Sequence, residues 1–236
     1  MYCENRLIRI KMQDWGKISE QNDHWNSNKA KKIQEKESQV IIKWLKDLNL
    51  LNYNILEVGC GNGYVGLKIS DYFLKEGIKF EYYLTDLIPN CLEKAKENFA
   101  DLTSRGSVKF GILDVYKIDK ILGAQTQEII ISTGFASAAT YKDAVPVVSR
   151  SLKKGGVLIC DFINNFSPVL FLSNIPRSIS RIINNKKYAK DVNSKYYHFG
   201  KIGIKEYFRK YDLELVDMKY IGVLKNPIVA IFKKRR

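Results

Sequence analysis

The residues best suited to chemistry lie within 53–66, where the sequence reads Y-N-I-L-E-V-G-C-G-N-G-Y-V-G. A short apolar run ends there in three glycines at alternate positions, and an apolar pattern with helical spacing follows. Glycine allows a sharp turn and lets a ligand approach the main chain without an intervening Cβ, and the first turn of a helix offers unpaired N–H groups. Strand, glycine turn and helix together predict a ligand-binding loop, with the carboxylate of Glu57 beside it.

This stretch resembles motif I of the class I S-adenosylmethionine-dependent methyltransferases, (D/E)-x-G-x-G-x-G, which is matched in full by Glu57, Gly59, Gly61 and Gly63. The resemblance implies that the loop, Cys60 included, borders S-adenosylmethionine and that Glu57 holds the methionine end of this cofactor, including its ammonium group. Residues 61–66 also fit the dinucleotide fingerprint G-x-G-x-x-G. Glu57 favours the methyltransferase interpretation, because a carboxylate would repel a pyrophosphate bound beside that turn.

A second acidic residue, Asp86, ends the next apolar run. It lies about 20 residues beyond the glycines, the distance at which an acid ends the second strand of a β-α-β unit and accepts the ribose hydroxyls. A carboxylate offers two acceptor oxygens for two neighbouring donors. The alternative is that Asp86 caps the helix that begins near Pro89. The resemblance further implies that Leu87 flanks the adenine ring.

Two more positions follow later strands. In the resembled family an acid after the third strand meets the adenine amino group, and the next backbone N–H meets a ring nitrogen; Asp114 and Val115 match those places. The alternative for Asp114 is a loop aspartate that caps a turn. Ser132 ends the fourth apolar run, at the edge where open α/β sheets bind ligands, and we assign it to the cofactor site as well.

The acceptor side is less defined. The segment after Ser132 has no (D/N)-P-P-(Y/F) and no Pro-Cys, which removes support for amino-group methylation of adenine or glutamine and for cytosine C5 chemistry. A general base assists methyl transfer only when the acceptor is a hydroxyl or a protonated amine. His24 and His198 are the only histidines and are the candidate catalytic residues; the alternative for both is a surface or packing role.

Composition limits the class of protein. The 236 residues, 45% of them hydrophobic, suit one domain with a substantial core. No apolar run approaches the roughly 20 residues of a membrane span, and the N-terminus lacks the apolar region of a secretory signal. The four cysteines form no C-x-x-C and no His/Cys cluster with zinc spacing. We therefore expect a cytoplasmic protein with reduced thiols and no metal site.

The formal net charge is +14 at pH 7. Such a charge favours an anionic partner, such as nucleic acid, a phosphorylated small molecule or an acidic membrane surface. A composition rich in Lys, Asn and Ile accounts for the same charge without any partner. Nucleic acid is the less favoured partner, because the basic residues are dispersed and not grouped with stacking aromatics. The sequence leaves the oligomeric state open.

The pattern of apolar residues predicts one α/β domain over 1–236. A polar N-terminal cap of about 1–50 contains an amphipathic helix at 28–48, with Ser27 or Asn28 as its N-cap. The resemblance implies a Rossmann-like seven-stranded mixed sheet with helices on both faces, strand order 3-2-1-4-5-7-6 and strand 7 antiparallel. The core covers about 51–163 and 198–236, and a turn at L-K-K-G-G precedes the fifth strand at 157–163.

An inserted segment at about 164–197 departs from a minimal core. Isoleucines at helical spacing alternate there with arginines and lysines, which predicts a basic amphipathic helix. One interpretation is a helix packed on the core. The other is a lid that closes over an acceptor or makes peripheral contact with an anionic membrane at its inner face. An insertion is similarly placed in ubiquinone-pathway O-methyltransferases.

The sequence therefore predicts methyl transfer from S-adenosylmethionine to a small-molecule or lipid-linked acceptor, which the basic residues allow to be anionic, at oxygen or nitrogen. An RNA methyltransferase and a catalytically silent cofactor-binding protein are the alternatives.

Overall fold

The structure is a computed structural model, which describes residues 27–102, 107–133, 141–162, 201–221 and 227–235. Its seven strands are β1 Tyr53–Val58, β2 Phe80–Asp86, β3 Ser107–Ile112, β4 Gln127–Ser132, β5 Leu152–Phe162, β6 Leu213–Tyr220 and β7 Ile228–Lys234. Its helices are α1 Asn28–Leu48, α2 Tyr64–Lys75, α3 Pro89–Asn98, the short α4 Ile118–Ile121, α5 Tyr141–Ser151 and α6 Lys201–Arg209, with a 3₁₀ turn at Val115–Lys117.

The strands form one sheet in the order β3-β2-β1-β4-β5-β7-β6. β1 to β5 pair in parallel, whereas β7 pairs antiparallel with both β5 and β6. The predicted fold class is thereby confirmed. The order reverses at β1, since the chain goes from there first to β2 and β3 and then back to β4. The carboxyl ends of β1 and β4 flank this switch point, which is where open α/β sheets bind ligands.

Each face of the sheet is covered by three helices. The apolar sides of α1, α2 and α3 pack on one face around Phe73 and Tyr82. The other face packs against α4, α5 and α6 around Phe208 and Phe232, whose rings stack 4.0 Å apart. Strands buried on both faces read as continuous apolar runs, and β4 and β5 have that form.

Helix α1 begins and ends as its sequence dictates. The Ser27 side chain accepts a hydrogen bond from the Ala30 N–H at 3.2 Å, which confirms Ser27 as the N-cap. At the far end Asn49 adopts a left-handed conformation and closes the helix. Trp44 lies on the buried face, and its indole N–H donates to Asp217 of β6 at 3.0 Å. This hydrogen bond ties α1 to β6.

Two elements differ from their predicted bounds. The L-K-K-G-G segment is not a separate turn but the start of β5, because Gln127 pairs with Leu152 while Ile129 already pairs with Val157. The extra residues bulge from the ladder, and Gly155 takes a positive φ of 78° there. Helix α3, which the sequence predicts to run from Pro89 to about Leu102, ends at Asn98. The Phe99 N–H is shared there between the Ala95 and Lys96 carbonyls, and the Ala100 N–H bonds to Glu97, so the α-helical spacing is lost.

Candidate cofactor-binding site

The loop between β1 and α2, residues 59–63, is called the glycine loop below. Gly59, Gly61 and Gly63 all have positive φ, at 71°, 56° and 73°. A Cβ built on Gly59 or Gly61 would meet no atom within 4 Å, so both face open space. Glycine suits all three positions because each has a left-handed backbone conformation. At Gly59 and Gly61 it also keeps the open side of the loop free of side chains.

The next two glycines serve packing. A Cβ on Gly63 would lie 3.0 Å from Ala95 Cβ of α3. One on Gly66 would lie 2.5 Å from Glu57 Oε2 and 2.9 Å from Leu84 of β2. Gly66 therefore lets α2 approach the sheet and leaves room for the Glu57 carboxyl. The G-x-G-x-x-G spacing in this chain is explained by helix–sheet contact, without a dinucleotide.

Glu57 lies beneath the glycine loop, enclosed between β1, β2 and α2 and only 1% exposed. Tyr82 donates its hydroxyl to Glu57 Oε2 at 2.8 Å, while Oε1 is buried with no hydrogen-bond partner among the described residues. Burial raises the pKa of Glu57 to about 8, against the opposing effect of the Tyr82 hydroxyl. A buried acceptor without a donor can accept one more hydrogen bond, for example from an ammonium group.

Asp86 joins the end of β2 to the glycine loop. Its Oδ2 accepts the Gly61 N–H at 2.9 Å, and its Oδ1 accepts the Ile88 N–H at 2.9 Å. The second bond closes a turn just before α3, whose N-cap is Ile88 and has no side-chain capping hydrogen bond, so Asp86 does not cap that helix. Burial raises the pKa of this carboxyl, although the backbone N–H donors favour its charged form. Each oxygen keeps a further lone pair, which leaves Asp86 able to accept hydroxyl donors.

Asp114 and Val115 follow β3 as predicted. Asp114 caps the 3₁₀ turn, with Oδ1 accepting the Tyr116 N–H at 3.0 Å. Its Oδ2 is buried, has no hydrogen-bond donor among the described residues and lies 3.8 Å from Lys117 Nζ. On Asp114 the cap and a remaining acceptor coexist on one carboxyl. The Leu113 N–H donates to the Asp86 carbonyl at 3.1 Å, which holds the ends of β2 and β3 side by side. Leu87 and Val115 are half-buried there.

Ser132 and Cys60 serve the frame of the loop. The Ser132 hydroxyl donates to the Val58 carbonyl at 2.8 Å and ties β4 to β1 just before the glycines. The Cys60 N–H donates to the Thr85 carbonyl at 2.9 Å and ties the loop to β2. Burial raises the pKa of the Cys60 thiol and, to about 11, that of Cys91. Both thiols are protonated at neutral pH and are therefore poor nucleophiles.

The structure thus brings all ten predicted cofactor-site residues to the carboxyl ends of β1 to β4. The two histidines, the segment after Thr133 and the predicted lid lie outside the described residues, as does the N-terminal cap before Ser27. The acceptor-side predictions on those segments stay predictions.

Sequence reasoning missed a buried carboxyl on α1. Glu37 is 4% exposed, although its neighbours Lys36 and Gln39 are exposed. Burial, and next the negative charge of Asp161 on β5, raises the pKa of Glu37 to about 8. A signal was present: Glu37 is four residues from both Ile33 and Ile41 on the apolar stripe of the helix, and Asp161 interrupts the apolar run of β5.

A side-chain hydrogen bond joins α1 to the residue at the end of the glycine loop. Tyr64, the residue after Gly63, donates its hydroxyl to Glu35 Oε2 at 3.1 Å. Lys68 Nζ lies 3.1 Å from the same oxygen, and its hydrogen bond lowers the pKa of Glu35. The first half of α1 is thereby held beside the N-terminus of α2, at the same sheet edge as the loop.

The structure has a glycine loop at the switch point of the sheet, acids at the ends of three parallel strands and an antiparallel seventh strand. Together these features define the class I S-adenosylmethionine-dependent methyltransferases. The family model described as a methyltransferase domain matches residues 51–209, so the chain belongs to that family. Its cofactor is S-adenosylmethionine.

Known proteins agree with this assignment. The chain is 33% identical to highly reducing polyketide synthase 2 of Gibberella zeae over 114 residues, which cover 44% of this chain and 4% of that synthase. Magnesium protoporphyrin IX methyltransferase from Synechocystis PCC 6803, solved with bound SAH, shares 13% identity at a TM-score of 0.63, over 86% of this chain and 84% of that one. The CurJ carbon methyltransferase shares 19% at 0.65, over 91% and 57%. At these identities the two structures establish the fold alone.

Within the described ranges, no helix combines the length and apolar character needed to cross a bilayer. The same ranges contain no group of three or more His, Cys, Asp or Glu side chains placed to hold a metal ion.

Proposed function

We propose that the protein transfers a methyl group from S-adenosylmethionine to a small-molecule or lipid-linked acceptor, at nitrogen or oxygen. One observation supports the part of this proposal that concerns the methyl donor. The glycine loop has an open side, and one buried oxygen of Glu57 and one of Asp114 lack hydrogen-bond donors among the described residues. The bound cofactor supplies an activated methyl group on a sulfonium. The protein then has mainly to align donor and acceptor, with the reacting atoms about 3 Å apart.

Seven of the ten predicted site residues have a direct part in holding the cofactor under this proposal. The bare faces of Gly59 and Gly61 admit its methionine end, and Glu57 Oε1 accepts from its ammonium group. Asp86 accepts from the ribose hydroxyls. Asp114 Oδ2 accepts from the adenine amino group, while Leu87 and Val115 flank the ring. The contacts described for these atoms all leave that capacity available.

The proposed class of acceptor is supported by the net charge and by the motifs that the sequence lacks. The net charge of +14 favours an anionic acceptor or surface. The predicted basic lid and its contact with an anionic membrane belong to the same proposal. The sequence lacks the motifs of amino-group methylation of adenine or glutamine, and this lowers the nucleic-acid alternative.

Titration calorimetry tests the donor half. S-adenosylmethionine and S-adenosylhomocysteine should bind, and NAD should not. Binding of NAD without either adenosyl compound would overturn the assignment. The acceptor can then be sought by incubating the protein with methyl-labelled cofactor and fractionated cell extract, followed by mass spectrometry of the labelled product. Label found only in RNA would overturn the small-molecule proposal.

Methylation at carbon is the second candidate. The aligned relative is a polyketide synthase, and one structural neighbour is a carbon methyltransferase. Chemical analysis of the labelled product separates the candidates. Acid hydrolysis removes the methyl group of an O-methyl ester but not a methyl group on carbon, and only N-methylation leaves the label on a basic nitrogen.

A further inference from the structure

The outward face of helix α1 carries four lysines, Lys32, Lys36, Lys43 and Lys46, called the lysine row below. All four are exposed, whereas Ile41 on the opposite face of the helix is buried. At a rise of about 1.5 Å per residue, the row is roughly 21 Å long. Among the described residues, no ion pair includes any of these lysines. The row therefore differs from α2 and α3, where exposed lysines pair with acids one turn away.

A groove of about 400 Å³ lies between α1 and α2 beside the lysine row. Its lining combines lysine ammonium groups with apolar surface: Gln39, Ile42, Lys43, Lys46, Asp47 and Tyr72. Lys46 Nζ lies 5.5 Å from the centroid of the Tyr72 ring. This combination suits a phosphate on a partly apolar molecule, because lysine binds phosphate as a point charge and the ring offers apolar contact. Asp47 lines the groove and Glu76 acts electrostatically on Lys46, so the row sets four lysines against two acids.

Two exposed leucines follow the lysine row at the end of α1. Leu50 is 41% exposed and Leu51 is 98% exposed. Their connection to β1 is held in place, since Asn49 closes the helix and the Leu50 N–H donates to the Tyr53 hydroxyl at 3.3 Å. A single exposed leucine is ordinary on a protein surface. Two in succession, directly after a helix with a lysine row, form a surface that is both basic and apolar.

An anionic bilayer matches both parts of this surface. Lysines are attracted to its phosphate groups, and leucines can enter the boundary between headgroups and acyl chains. A nucleic acid matches only the charge, because binding without sequence preference relies on aromatic rings that are free to stack on bases. Tyr72 is the aromatic residue of the groove, and the Lys46 ammonium already lies over its ring. A free phosphorylated molecule would occupy the groove but leave the rest of the row and the leucines without a partner.

We propose that the lysine row, the groove and the two leucines dock the protein on an anionic phospholipid bilayer, with one headgroup phosphate in the groove. This surface is distant in the chain from the predicted lid, and it does not depend on the proposed reaction. Helix α1 extends from the glycine loop, where Glu35 contacts Tyr64, to the amino end of β1. A bilayer lying along α1 therefore borders the edge of the sheet that holds the glycine loop.

Vesicle co-sedimentation without cofactor tests this surface. Vesicles of phosphatidylcholine alone are compared with vesicles that contain about 30% phosphatidylglycerol, in about 0.1 M NaCl. The wild type should bind only the anionic vesicles. Lys32→Gln, Lys36→Gln, Lys43→Gln and Lys46→Gln, combined in one row variant, should lower the partition coefficient at least about thirtyfold, because each lysine near an anionic surface contributes roughly fivefold. Leu51→Ser should lower it by the same factor at low and high salt, since salt does not screen apolar insertion.

A matched control variant removes the same charge elsewhere. It combines four substitutions of exposed lysines that lie on other elements and form no ion pair with a described residue: Lys94→Gln, Lys120→Gln, Lys154→Gln and Lys205→Gln. The control should bind anionic vesicles within about fivefold of the wild type. Circular dichroism checks that both variants fold, and Leu51→Ser decides alone should the row variant fail to fold.

The docking surface is overturned if the wild type does not bind anionic vesicles. Equal binding by the row variant and the control would also overturn it, because vesicle binding would then come from the net charge or from another part of the chain. Two competition experiments test the choice of partner. Displacement from vesicles by millimolar glycerol 1-phosphate would make the groove a site for a soluble phosphate. Tighter binding of a short single-stranded RNA, lost in the row variant, would make the row a nucleic-acid surface.

Discussion

The two ends of the ligand-binding edge are built differently. At β1 to β3 the aspartates accept backbone N–H groups that lie nearby, Asp86 from Gly61 and Ile88 and Asp114 from Tyr116. Near β5, Glu37 of α1 is buried, and burial together with the charge of Asp161, a residue distant in the chain, raises its pKa to about 8. The first region is specified by a short motif. The second is specified only by tertiary packing.

The largest effect of a substitution on cofactor binding is expected in the glycine loop, where the proposed site is formed by backbone without side chains. Gly61→Val should reduce S-adenosylhomocysteine binding below detection, because the side chain would occupy the open side of the loop and strain a φ of 56°. Gly77→Val is the control: it has a φ of 66° with equally open space, but lies outside the site. Calorimetry of both variants separates lost ligand space from backbone strain. Equal loss in both would contradict the role of the loop.

Glu57→Gln tests the buried acid beneath that loop. The carboxyl has a folded pKa of about 8 against 4.5 ordinarily, so the unfolded chain ionises first and the apo protein loses stability as pH rises from about 4.5 to 8. Glutamine does not ionise, and the variant should recover a few kcal/mol at pH 8 while binding the cofactor more weakly. Urea unfolding between pH 5 and 9 measures this.

The matched control for that experiment is Glu128→Gln. Lys153 and Asn54 lower the pKa of Glu128, so this carboxyl contributes stability that is lost as pH falls, the opposite direction. Part of the pH dependence will survive in Glu57→Gln, because the pKa of Glu37 is raised as well. Identical pH profiles for Glu57→Gln and the wild type would show that Glu57 is not held protonated.

A smaller effect is expected at Asp86. Asp86→Ala should weaken S-adenosylhomocysteine binding by roughly 1–3 kcal/mol, the range for hydrogen bonds to a charged group. Since Asp86 also accepts the Gly61 and Ile88 N–H groups, the same titration with a 2′-deoxy analogue isolates the ribose contact. The penalty should shrink for the analogue. An equal penalty for both ligands would mean that Asp86 supports only the loop.

The smallest effect concerns the one described side-chain link between the loop end and α1. Tyr64→Phe removes the hydroxyl donor to Glu35 and should lower the free energy of unfolding by about 0.5–1.5 kcal/mol. Cofactor affinity should change less than twofold, because the backbone of the loop is untouched. A large loss of affinity would show that α1 controls the cofactor region, and the two regions could no longer be treated as independent.

Sequence pattern alone predicted which residues the structure brings together at the ends of β1 to β4, since the determinants of that arrangement are local. Three glycines, an acid at the end of each of three strands and their spacing follow directly from the order of residues. Ser27 as an N-cap is equally local. The sequence offered cofactor contact and capping as alternatives for Asp86 and Asp114. That each carboxyl accepts a backbone N–H and still keeps a free lone pair did not follow from sequence, because it depends on the fold of the surrounding backbone.

The remaining differences depend on packing. The burial of Glu37 was not predicted, because a single acid on the apolar stripe of a helix does not by itself indicate a buried carboxyl. Its significance depends on the neighbouring Asp161 of β5. The L-K-K-G-G segment reads as a turn, and only its pairing with β4 makes it part of a strand. In both cases the deciding neighbour is far away in the chain.

The position of β7 has a consequence for synthesis of the protein. β7 is the last strand in chain order, yet it pairs with β5 inside the sheet and leaves β6 as the outer edge. Until β7 emerges from the ribosome, the apolar β5 has an unpaired edge on that side, a template for pairing with other chains. The nascent domain therefore passes through a stage at which it is open to aggregation or chaperone capture, and folding is completed only with its final hairpin.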